Sequence, residues 1–90
     1  MSKMFPLAMA AINEQVRLEN IKGGKKILRR LSTLGLTPGV ELSVVQNAGG
    51  PLLLSVRGSR IALGRGMSQR VMVSLTGNKG NEINIGGKEK

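Results

Sequence analysis

Two turn devices in quick succession, Gly35 and then Pro38-Gly39, leave the middle of this chain few ways to fold. Ahead of them Ile27, Leu28, Leu31 and Leu34 recur at helical spacing. Lys25, Lys26, Arg29, Arg30, Ser32 and Thr33 fill the opposite arc, the pattern of a surface helix lying on a core. Gly35 stands where such a helix ends in a left-handed residue, and Leu36 just beyond can pack back on Leu31, as in a Schellman cap. The spacing therefore predicts a helix that stops at Leu34. Pro38 and Gly39 supply the fixed φ and the positive φ of a type II turn between Thr37 and Val40. The chain reverses there and enters a strand.

Parity alone pairs that strand with the next. Val40, Leu42 and Val44 alternate with Glu41, Ser43 and Val45, while Leu52, Leu54 and Val56 alternate with Leu53, Ser55 and Arg57. With Asn47 to Pro51 as the turn, Val44 faces Leu54 and Leu42 faces Val56 on the inner side. On the outer side Glu41 faces Arg57, Ser43 faces Ser55 and Val45 faces Leu53. Gly58-Ser59 reads as a two-residue hairpin turn, which would set Val56 against Ile61 and Leu54 against Leu63.

The flanks complete the sheet. Gln15 to Ile21 reads as a first strand with a bulge near Asn20, because Val16 and Leu18 share a face on which Ile21 does not fall. Lys22-Gly23-Gly24 is the loop into the helix. Gly64 to Gln69 reads as a single 3₁₀ turn or a plain loop. Arg70 to Leu75 resumes the alternation, with Val71, Val73 and Leu75 inward, as a fifth strand that pairs with the first and partly closes a barrel. Before the first strand, Met1 to Ala11 reads as an irregular or single-turn lid with Phe5, Leu7 and Met9 buried, and Asn13-Glu14 as a turn. Ala8-Met9-Ala10 imitates a signal-peptide cleavage site, but Pro6 interrupts an apolar run too short to span a membrane. The domain is expected over residues 1–76. Residues 77–90, with only Ile83 and Ile85 apolar, are expected to stay disordered.

Composition excludes most chemistry. The chain has 90 residues and no Cys, His or Asp, so the usual zinc, iron and copper ligand sets and the Ser-His-Asp or Cys-His arrangements cannot be built. Its carboxylates, Glu14, Glu19, Glu41, Glu82 and Glu89, form no acid–base pair in this reading. Met4, Met9, Met67 and Met72 read as core filling rather than metal ligands. Gly23-Gly24-Lys25 and Gly86-Gly87-Lys88 lack the spacing and the following Ser or Thr of a phosphate loop. A binding module without cofactor is what remains. The net charge of +9 is read in three ways that charge alone does not separate: a solvated basic surface, a nucleic-acid partner, or the anionic cytoplasmic face of a membrane. Phe5, the one aromatic residue, offers bases little to stack on, which makes nucleic acid the weaker choice.

The order PLAMA, VRLENIKGG, KKILRRLSTLGLTPGVELSVV, GGPLLLSVRGSRIAL and RVMVSL, from Pro6 to Leu75, resembles the small bacterial ferrous-iron transport protein A family, FeoA. The most specific piece is the basic helix running into LGLTPGVEL, supported by VRGSRIAL. The combination is also similar to the C-terminal domains of iron-dependent repressors. The resemblance implies a mainly β fold, an SH3-like small antiparallel barrel of about five strands with one inserted α-helix. It also implies a cytoplasmic, non-enzymatic accessory of ferrous iron uptake, which binds the cytoplasmic part of the FeoB transporter with its GTP-binding domain. The alternative is a basic nucleic-acid-binding or repressor-type regulatory module. At Gly64 to Gln69 the chain departs from the charged, helix-favouring run usual in the family.

The strand register names a docking surface. Val45 and Leu53 form an apolar pair on the outer face, rimmed by Glu41, Arg57 and Arg60, as partner interfaces often are. Arg29 and Arg30 on the helix are the second choice.

Overall fold

The structure is a computed structural model that describes residues 3–76; the expected disordered tail lies outside them. Strands β1 (Phe5–Pro6), β2 (Gln15–Ile21), β3 (Glu41–Gln46), β4 (Leu52–Val56), β5 (Ser59–Leu63) and β6 (Val71–Leu75) make one sheet in the order β1-β6-β2-β3-β4-β5. Every neighbouring pair is antiparallel. Helix α1 (Lys25–Ser32) joins β2 to β3, and one turn of helix, α2 (Arg65–Ser68), joins β5 to β6. The inward residues Val16, Leu18, Leu42, Val44, Leu52, Leu54, Val56, Val71 and Val73 meet in a single core, closed by Leu7 from below and by Leu31 and Leu36 from the helix side. This is an SH3-like small barrel.

The double turn behaves as its residues require. Gly35 has a φ of 88°, its N–H donates to the Ser32 carbonyl, and the Leu36 N–H donates to Leu31, both at 3.0 Å, the two bonds of a Schellman cap. Gly39 has a φ of 95°, and the Val40 N–H closes the type II turn on Thr37 at 3.1 Å. The turn is then riveted to β2, since Gly39 N–H donates to Leu18 and Leu18 N–H to Val40. The bulge in β2 falls between Leu18 and Asn20 and returns Ile21 to the core.

Several expectations need correction. The β4–β5 turn is Arg57-Gly58, with φ of 50° and 82°, the positive pair a type I′ turn needs, rather than Gly58-Ser59. Val56 therefore pairs with Ser59, and Leu54 with Ile61. The shift is an even number of residues, so every side chain keeps its face, and it lets the whole of β4 pair with the whole of β5. Met9, expected inside, is 74% exposed; the 3₁₀ turn Leu7–Met9 sends Leu7 inward and gives the next inward place to Ala10. Met4 is exposed too, so these two methionines fill no core. Leu75, paired with Val16 of β2, is exposed at the end of β6, while Ser74 is buried with its hydroxyl donating to Glu19. A short β1 against β6 raises the strand number to six. Gly64 to Gln69 holds α2 rather than a loop or a 3₁₀ turn.

Candidate docking groove between the helix and the edge strand

The apolar pair proposed from the register does not form as drawn. A bulge between Val44 and Gln46 sets Gln46 against Leu53 and leaves Val45 as the extra residue. Both Val45 and Leu53 are half-buried. Glu41 lies across from Arg17 on β2, and the two carry an ion pair at 3.5 Å, so it does not rim the pair from the β4 side. Arg57 stands exposed in the I′ turn, and Arg60 lies opposite Ser55 on the outer face. Leu53 is opposite Ala62 of β5, so the outer patch runs toward the free edge of the sheet.

Over that edge lies a second surface, which sequence reasoning did not find. Of the apolar stripe that runs along α1 into its cap, Leu31 is fully buried and Ile27 half-buried, but Leu28 is 39% and Leu34, in the cap, 42% exposed. The end of the helix and the β5–α2 corner enclose a groove of about 220 Å³ lined by Arg30, Leu31, Leu34, Ala62, Leu63, Gly64 and Met67. The stripe itself was the available signal: a helix this short needs few apolar side chains to anchor it, and four are more than one face of this barrel covers.

The groove's walls are held from outside it. Arg65, at the start of α2, donates to the Asn47 side-chain carbonyl and to the Gly50 carbonyl, and Asn47 in turn donates to Ala8. Ser68 Oγ, buried, donates to the Arg65 carbonyl at 2.8 Å. Together these bonds fix α2 against the β3–β4 loop and hold Met67 beside Leu63. Arg65 is thus engaged, whereas Arg29, Arg30, Arg57 and Arg60 are exposed.

The electrostatics of this side are one-sided. From Leu42 to Thr76 there is no carboxylate, and none from Asn20 to Val40. The described carboxylates lie elsewhere: Glu14 accepts from Ala11 N–H, Glu19 from Ser74, and Glu41 pairs with Arg17. Among the described residues the one ion pair is Arg17–Glu41, so the cations of the helix and β5 carry no salt bridge, and the groove is apolar apart from Arg30 at its edge. Among the described residues no group of three His, Cys, Asp or Glu gathers to hold a metal ion. No helix among them is long and apolar enough to cross a membrane.

Comparison with known proteins places this architecture. A Methanocaldococcus jannaschii protein provisionally named Fe(2+) transport protein A is 40% identical over 70 residues, covering 78% of this chain and 85% of its own length. A crystal structure titled as the iron uptake regulatory protein FeoA is 37% identical, with a TM-score of 0.73 over 79% of this chain and 95% of that one. A manganese-dependent transcriptional repressor, 15% identical with a TM-score of 0.76, shares the fold over 84% of this chain and 44% of its own. The FeoA domain model matches residues 5–75, from β1 to the end of β6, and the chain belongs to the FeoA domain family.

Proposed function

We propose that this protein is a cytoplasmic accessory of ferrous iron transport that acts without catalysis, by docking onto the cytoplasmic, GTP-binding part of a FeoB-type transporter. The observation that carries the reading is the groove between α1 and β5: an apolar lining with Arg30 at its edge and no carboxylate among its residues. An accessory that works by contact needs a desolvated apolar centre with polar edges, which this surface supplies. Membership of the family, and relatives named for Fe(2+) transport and iron uptake, support the cargo. The docking surface then comprises Arg30 on the helix and Leu34 in its C-terminal cap with Ala62, Arg60 and Leu53 on the adjoining strands.

The test is a titration of the chain with the transporter's cytoplasmic domain and, separately, with a DNA duplex, each at two salt concentrations. Saturable binding to the transporter domain that weakens only modestly with salt is expected. Binding built on phosphate contacts falls about tenfold per tenfold rise in salt for each contact made. Tight, steeply salt-dependent binding to the duplex with none to the transporter domain overturns the reading in favour of a nucleic-acid module.

A further inference from the structure

Strand β5 is one edge of the sheet, and it is undefended. The opposite edge, β1, is two residues long and includes Pro6, which has no N–H to offer, as sheet edges that avoid further pairing often do. β5 has five residues and no proline. Its two-residue turn makes Val56 and Ser59 a hydrogen-bonded pair, so by antiparallel alternation Ile61 and Leu63 also bond toward β4. The N–H and C=O groups of Arg60 and Ala62 then point away from the sheet. Among the described residues they have no other backbone partner.

Below this edge runs the groove. A chain segment laid along β5 would alternate its side chains as β5 does. One set would point inward, over Leu63 and toward Leu31, Leu34 and Met67, where the floor is apolar. The other set would point outward, beside Arg60 and the exposed Arg57 of the turn, where no carboxylate stands. A second copy of this chain is a poor occupant, because it would bring another basic edge and a net charge of +9 against the first.

We propose that β5 accepts an added strand from a partner protein, and that the segment it takes is extended, with apolar residues alternating with acidic ones. Backbone bonds to Arg60 and Ala62 provide the hold, and the apolar side chains in the groove and the acidic ones at the arginines provide the selection. The inference rests on the reading that the protein docks onto another protein, and it specifies how.

The probe is a short peptide of alternating Leu and Glu, blocked at both ends, titrated into the isotope-labelled chain and followed by NMR. Saturable binding is expected, with the largest amide shifts at Arg60 and Ala62 and with slowed hydrogen exchange at those two amides. A peptide of alternating Leu and Lys should not saturate. Ala62→Pro removes an outward N–H without touching the β4 ladder, and should weaken binding about tenfold or more. Should that variant fail to fold, methylating alternate backbone nitrogens of the peptide asks the same question of the unaltered chain. One alternate set should abolish binding and the other should not.

Equal loss from both sets, unchanged exchange at Arg60 and Ala62, or equal binding of the Leu-Lys peptide overturns strand addition. A transporter domain that binds the unaltered chain and Ala62→Pro equally well also overturns it, while leaving the docking function intact. Peptide binding at β5 with no binding of the transporter domain supports strand addition and overturns the choice of partner.

Discussion

Gly35 is where a single residue decides most. An ideal Cβ built on it meets nothing within 4 Å, so no neighbour forbids a larger side chain. The objection lies wholly in its φ of 88°, which L-residues avoid. Gly35→Val should therefore lower stability by about 1–2 kcal/mol, the cost of forcing a residue with a Cβ into the left-handed region. Gly35→Asn should cost less. Urea unfolding with an unchanged slope reads this directly, and an unmoved midpoint for the valine variant would show that the cap does not need that geometry. This residue was legible, because a helix pattern, a glycine and a returning leucine all point to one motif. Arg57 was not. It holds a φ of 50° in a place where Asn or Gly would be the local choice, and only the full pairing of β4 with β5 outweighs that preference. The bulge at Val45 was illegible for a similar reason: parity counts residues, and the extra one leaves no mark in an alternating pattern.

Among the elements, the helix shows the boundary between what periodicity tells and what it cannot. Its cap and its apolar stripe could be read from the chain, though the last helical residue is Ser32 rather than the expected Leu34. The five longer strands, the β2 bulge and the type II turn could be read too, but not β1. The burial of the stripe could not, since spacing shows that a face is apolar without saying whether this chain supplies its cover. Leu31 alone is fully covered among Ile27, Leu28, Leu31 and Leu34. The two neighbouring leucines should consequently part company. Leu31→Ala opens a cavity in the core and should cost about 2–4 kcal/mol, lowering the melting temperature by several degrees for each kcal/mol in a domain of this size. Leu34→Ala removes an exposed side chain and should stay within about 0.5 kcal/mol of the parent. Its effect should show in calorimetry with the transporter domain as weaker binding. Equal thermal losses from the two variants would mean that Leu34 belongs to the core and that the groove is not an open surface. Helix α2 escaped reading because Gly64, Gly66 and Ser68 are poor helix formers. What stabilises its single turn are the bonds of Arg65 to Asn47 and Gly50, which come from a loop distant in sequence.

Across the molecule, charge and ligand chemistry are kept apart. Positive charge without local acids covers the helix and β5, and the described acids sit around β2, each with its own polar neighbour. A ferrous ion needs several nitrogen, oxygen or sulfur donors converging on one point. Here Glu19 takes a hydrogen bond from Ser74 and Glu41 is tied to Arg17, and the chain contains no imidazole or thiolate to join them. Among the described residues the most exposed soft donors are Met4 and Met9, 54% and 74% exposed, and a thioether is a weak ligand for Fe(II) without harder partners. The repulsion of fourteen Lys and Arg side chains, against five Glu, acts against any dication as well. The domain is therefore expected not to hold ferrous iron itself, in keeping with the proposal that iron is the cargo of its partner. Anaerobic calorimetry of the isolated chain with Fe(II) should give weak heat that does not saturate. A saturable micromolar site would sink this view, and its source can be located: loss of the site on Met4→Leu with Met9→Leu would assign it to the N-terminal thioethers, and its persistence would assign it to the carboxylates.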